Sequence, residues 1–133
     1  MKAFARFVAV LVVVFGLTGG TALAAPAKFY DEANSSGACV TGPSPIGASY
    51  GTARWTLNGS TGTVHIHVHG LSSPGTYTVR FWPSFCVPQV LGTLTTNARG
   101  NGSGSYTLTP TATGWFELAP NSGTAYGTPL ITF

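Results

Sequence analysis

Charged side chains are scarce in this sequence. Six Lys or Arg and three Asp or Glu make up 7% of its 133 residues. No basic patch and no interleaving of basic with aromatic residues is left to suggest nucleic acid as a partner. Acidic chemistry has little to draw on. A glycosidase-type carboxylate pair would have to join Glu117 to Asp31 or Glu32. No G-x-S-x-G nucleophile elbow occurs, and a serine triad would have to borrow Asp31 from an irregular stretch. Only two cysteines are present, Cys39 and Cys86, with no C-x-x-C motif. Thioredoxin-type redox chemistry is thereby excluded, and a single structural disulfide is the expectation. Helical periodicity is missing beyond the first residues, and no repeat of solenoid period occurs.

The N-terminal residues read as a secretory leader. Lys2 and Arg6 form a basic start, Phe7 to Leu17 an apolar run, and Ala22-Leu23-Ala24 a small-residue cleavage site. The apolar run falls short of the roughly 20 residues a spanning helix needs. Cleavage after Ala24, with Ala25 as the alternative, leaves residues 25–133 as one domain with no membrane span. In that part Lys28, Arg54, Arg80 and Arg99 stand against Asp31, Glu32 and Glu117, so the net charge is close to zero. The expected location is secreted or extracytoplasmic, where a Cys39–Cys86 bond is stable.

What is abundant is alternation and turn chemistry. Residues 52–57, 63–69, 76–82, 90–96, 103–109 and 124–133 read as strands, Lys28-Phe29-Tyr30 as a brief first one, and Thr113 to Leu118 holds Trp115-Phe116 between turns. Asn58-Gly59 is a hairpin signal. Gly70 to Gly75 and Asn97 to Gly102 are glycine-rich reversals. Short strands spaced by turn signals predict an all-β chain. The expected fold is a Greek-key β-sandwich, Ig-like or superoxide dismutase-like, of about seven strands. Trp55, Ile66, Val68, Val79, Phe81, Leu94, Tyr106, Leu108, Phe116 and Ile131 are the expected core.

One stretch concentrates the reactive side chains. Val64-His65-Ile66-His67-Val68-His69 alternates apolar with imidazole and holds all three histidines. On a strand His65, His67 and His69 share one face. Neighbouring pairs lie about 7 Å apart at Cα, and His65 and His69 about 13 Å. Two of them would hold zinc or copper only with a third ligand from elsewhere. The competing readings are a polar outer face and a pH-sensitive contact surface, because histidine titrates near neutrality. Trp82 and Trp115 are candidates for a stacking platform that binds sugar, although aromatic residues in strands more often pack against neighbours. Asn34, Asn58 and Asn101 each begin an N-x-S triplet, a glycan acceptor in a eukaryotic host.

Two segments carry a resemblance. Val64–Phe81, with its turn Gly70-Leu71-Ser72-Ser73-Pro74-Gly75-Thr76-Tyr77, resembles a strand–turn–strand unit of small exported bacterial β-sandwich proteins. Leu91-Gly92-Thr93-Leu94-Thr95-Thr96-Asn97-Ala98-Arg99-Gly100-Asn101-Gly102-Ser103-Gly104 is similar to their G-x-x-x-T-[DN]-x-x-G-x-G hairpin. Both units occur in chordin-type (CHRD) domains and Cu/Zn superoxide dismutases, so the resemblance implies a Greek-key sandwich. It implies no dismutase activity. In those enzymes the H-x-H pair follows the turn, whereas His65, His67 and His69 precede it, and two metals need more histidines. The expectation is therefore a secreted, non-enzymatic binding or cell-envelope accessory protein whose partner is an extracellular protein or glycan. A zinc- or copper-binding protein and a carbohydrate-binding module are the alternatives.

Overall fold

The computed structural model describes residues 25–34, 39, 41–72 and 74–133. The expected leader, 1–24, lies outside the described residues. Ten strands run β1 Ala27–Lys28, β2 Tyr30–Asp31, β3 Gly51–Asn58, β4 Thr61–Val68, β5 Gly75–Pro83, β6 Gln89–Thr96, β7 Gly102–Leu108, β8 Thr113–Pro120, β9 Tyr126–Gly127 and β10 Ile131–Thr132. A 3-10 turn, Glu32–Asn34, follows β2.

The strands form two antiparallel sheets. The first has the order β1-β3-β4-β7, the second β2-β9-β8-β5-β6, with β10 also pairing to β8. The alternation seen in the sequence sets the faces. In β3, Ala53 and Trp55 are buried while Arg54 and Thr56 are exposed. In β4, Val64, Ile66 and Val68 are buried and the intervening histidines are exposed. The Asn58-Gly59 turn, with Gly59 in the left-handed region (φ 66°), closes the β3–β4 hairpin. β8 returns to lie beside β5, and the edges of β6 and β7 meet across the two sheets. β5 to β8 thus make a Greek key, and the molecule is a two-sheet β-sandwich.

The core lies between the sheets. Trp55, Phe81, Phe116 and Phe133 form an aromatic cluster with ring centroids 5.3 to 6.4 Å apart. Towards the opposite end Tyr126 packs on Tyr50 and Tyr77. Nine of the ten expected core residues are buried; Tyr106 is the exception. It is half-buried at the β6–β7 seam, where its hydroxyl donates to the Thr93 carbonyl at 2.8 Å. Phe29, Leu118 and Tyr126 belong to the core as well.

Two expected strands are each divided. The N-terminal one splits at Phe29: β1 pairs with β3 in the first sheet, β2 with β9 in the second, and Phe29 enters the core between them. The chain so bridges the side of the sandwich opposite the β6–β7 seam. The C-terminal one splits into β9 and β10. Between them Thr128 is buried, its hydroxyl accepting from the Phe116 amide at 3.0 Å, and Pro129 has no amide to give a ladder.

The two resembling segments touch. The Leu71 amide donates to the Gly100 carbonyl, and the Gly70 amide to Asn101 Oδ1, each at 3.1 Å. Gly100 is left-handed (φ 79°), and a Cβ there would stand 2.2 Å from the Leu71 carbonyl oxygen. The turn and the reversal form one locked corner.

Cys39 and Cys86 are bonded, with Cα atoms 5.5 Å apart and a sequence separation of 47. Cys86 sits in the turn after β5 with φ 65°, its amide donating to the Pro83 carbonyl. The bond ties the segment after the 3-10 turn to the β5–β6 connection. No described helix is long and apolar enough to cross a membrane.

Candidate functional site

The histidine strand is central in the first sheet, between β3 and β7. Register sets its neighbours. His65 lies between Arg54 and Ser105, and His67 between Thr52 and Ser103. Lys28 of β1 continues the second row beyond Thr52. These positions share the outer face, and between the rows lies a depression of about 290 Å³ lined by Thr52, Arg54, His65, His67, Ser103 and Ser105. His65 Nδ1 and Ser105 Oγ are hydrogen-bonded at 2.7 Å. His69 is exposed just past the end of β4, its amide donating to the Tyr50 carbonyl.

The face offers no third metal ligand. The side chains across from the histidines are hydroxyls and a guanidinium. Among the described residues no three His, Cys, Asp or Glu side chains gather to hold a metal ion. Imidazole pairs bind zinc or copper firmly with a further nitrogen, sulfur or carboxylate donor, and Arg54 presents only N–H groups.

A second polar cluster lies on the outer face of the second sheet. Trp82 of β5 and Trp115 of β8 are register partners and stack, with centroids 5.9 Å apart and planes 11° from parallel. Trp115 is only 4% exposed and donates its indole N–H to the Cys39 carbonyl at 2.8 Å. The two rings cover one another in place of an open platform. Glu117, next but one to Trp115, is buried; its Oε1 accepts from Arg80 at 3.1 Å and from Trp82 Nε1 at 2.8 Å. Glu32 lies against Glu117. Glu32 Oε2 is buried, and no donor from the rest of the described protein reaches it. Burial, then the neighbouring carboxyl of Glu117 and its charge, push the Glu32 carboxyl up from 4.5 to about 8.

The sign of the pH dependence follows. Glu32 holds its proton more tightly when folded than unfolded, so its contribution is fully present below about 4.5 and is lost as pH rises to about 8. Allowing for solvent screening of a half-buried group, the loss is about 1–2 kcal/mol. Urea unfolding at pH 4.5, 6 and 8 measures it. Glu32→Gln removes that slope, and a slope unchanged in the variant contradicts the raised Glu32 carboxyl.

Nothing in the local sequence brings Glu32 and Glu117 together. They come together because β2 pairs β9 and β9 pairs β8, which puts Tyr30, Gly127 and Glu117 in one row. Exposed apolar side chains gather near the disulfide in sequence: Phe85, Val87 and Val90.

The fold and both clusters define a class: an all-β, disulfide-stapled sandwich with one polar outer face open and the other occupied by its own N-terminal segment. Comparison with known proteins adds no name to that class, since no protein family, no curated protein and no solved structure matches the chain.

Proposed function

We propose that this is an exported, non-enzymatic binding protein of the cell envelope or extracellular space, and that it binds through the outer face of the first sheet. The observation that carries the reading is the contrast between the two outer faces. The second sheet's polar groups are engaged with one another and with the segment around Cys39. The first sheet presents Thr52, Arg54, His65, His67, Ser103 and Ser105 around an open depression. A central strand flanked on both sides is a rigid platform that holds these side chains in fixed positions for a ligand. The disulfide is compatible with an extracytoplasmic location. The kinship to small exported sandwiches, chordin-type domains and dismutase-like sandwiches belongs to the same proposal, at the level of fold. Its support is the corner that joins the two resembling segments.

Arrays of glycans and envelope polymers, probed with wild type and His67→Ala, test the reading. His67 is exposed, so the substitution changes stability by less than about 0.5 kcal/mol. Binding present in wild type and lost in the variant supports the face. Binding that survives His67→Ala and Thr52→Ala, or turnover of the bound compound, overturns it. Calorimetric titration with zinc and copper is the arm for the metal reading: tight stoichiometric binding lost in His67→Ala would put a metal on this face in place of a partner.

A further inference from the structure

We propose that the depression between the Arg54–His65–Ser105 and Thr52–His67–Ser103 rows is a site for a tetrahedral oxyanion, the phosphate or sulfate ester of a larger ligand. The inference rests on the binding reading above and deepens it by naming the ligand's chemistry.

The donor set carries the argument. Arg54 presents N–H groups and no acceptor. Thr52 and Ser103 add hydroxyls that rotate to donate, and His67 adds a ring N–H. His65 is already bonded at Nδ1 to Ser105 Oγ. That bond holds the ring on the face, and the pair offers the ligand one further donor: Nε2–H when Ser105 donates to Nδ1, or the Ser105 hydroxyl when Nδ1–H donates to it. A pocket built this way is complementary to a group that only accepts hydrogen bonds.

Charge points the same way. All three acidic residues of the chain lie in or beside the second sheet: Asp31 in β2, Glu32 in the turn after it, Glu117 in β8. No carboxylate competes on the first sheet's outer face. Arg80 is neutralised by Glu117, whereas Arg54 is in no ion pair among the described residues. Lys28 extends the positive field in register with Thr52. A guanidinium on a hydroxyl-lined surface attracts oxyanions through charge-assisted hydrogen bonds.

Geometry selects among anions. Neighbouring strands are about 4.8 Å apart, so each row of three side chains spans about 10 Å, and the two rows stand about 7 Å apart along the strands. A planar carboxylate has two oxygens in one plane. A tetrahedral ester directs three oxygens to the guanidinium on β3, the imidazoles on β4 and the hydroxyls on β7 together. The depression of about 290 Å³ lies at the small end of ligand pockets, about 300–1,000 Å³, which suits one ester group and part of its carrier.

The test uses one sugar carrying a phosphate ester, a sulfate ester or a carboxylate, titrated into the protein at constant ionic strength. Binding is read from the ring-proton shifts of His65 and His67 and the amide shifts of Ser103 to Ser105. Both esters, or one of them, bind more tightly than the carboxylate, and the tighter ester identifies the source as a phosphorylated or a sulfated polymer. Arg54→Gln weakens ester binding about tenfold or more, Ser105→Ala weakens it less, and Arg99→Gln, which changes an exposed loop arginine, leaves it unchanged. Equal binding of ester and carboxylate, or equal losses in Arg54→Gln and Arg99→Gln, overturns the proposal as general charge attraction. No ester binding, with array binding still lost in His67→Ala, overturns the oxyanion while the binding face stands.

Discussion

Replacing Cys39 and Cys86 together with serine lowers the free energy of unfolding by about 4 kcal/mol, the loop-closure value for a ring of this size. The loss is a large share of the roughly 5–15 kcal/mol that holds a domain folded. The bond lies outside the core: among the described residues, none of the buried cluster is in the segment it ties down. The variant therefore keeps the two sheets and loses the cover of the second one. Trp115 is released from the Cys39 carbonyl, its stack with Trp82 opens to water, and tryptophan emission moves to the red in the native baseline. Guanidinium unfolding followed by fluorescence reads both effects at once. A midpoint and an emission maximum equal to wild type would mean that the N-terminal segment is held by its other contacts alone.

Glu117→Ala is the second large effect, with an expected cost of about 2–4 kcal/mol. The deletion strands the Arg80 guanidinium and the Trp82 indole N–H, which now share Glu117 Oε1. It also removes the partner of Glu32. Glu117→Gln separates these contributions. The amide oxygen keeps an acceptor for Trp82, the ion pair is lost, and Glu32 no longer faces the charge of Glu117. Its cost is smaller, and its stability depends less on pH between 4.5 and 8 than that of wild type. Chemical denaturation of both variants across that range measures the difference. Equal costs for alanine and glutamine would place the whole effect in the ion pair.

The long strands were legible because their residues obey one rule at a time. Trp55 and Leu57, or Ile66 and Val68, alternate with polar neighbours, and period-two burial follows directly. The outward histidines were legible for the same reason. The disulfide needed only two cysteines and the expectation of an exported chain. The remaining features depend on positions far apart in the chain. Phe29 divides the first strand because both sheets need an edge partner on that side, which no local pattern reveals. Tyr106 reads as core by alternation, yet it sits where β6 and β7 close the sandwich and keeps its hydroxyl at the surface. Trp82 was expected on the outer face, and β5 alternation puts it there. That it stacks on Trp115 beneath the Cys39 segment follows from the pairing of β5 with β8 and from the disulfide together. Glu32 and Glu117 meet for a reason of the same kind. Arg54 gained its place in the candidate site only from the register of β3 against β4.

The central claim is that the outer face of the first sheet is where this protein meets its ligand. Amide shift mapping by two-dimensional NMR, with the best-binding compound from the arrays, tests it most directly. The largest shifts fall on Thr52 to Arg54, His65 to His67 and Ser103 to Ser105, and the compound is recovered unchanged. Shifts confined to Trp82, Phe85 to Val90 or Trp115, with the first sheet silent, would contradict it.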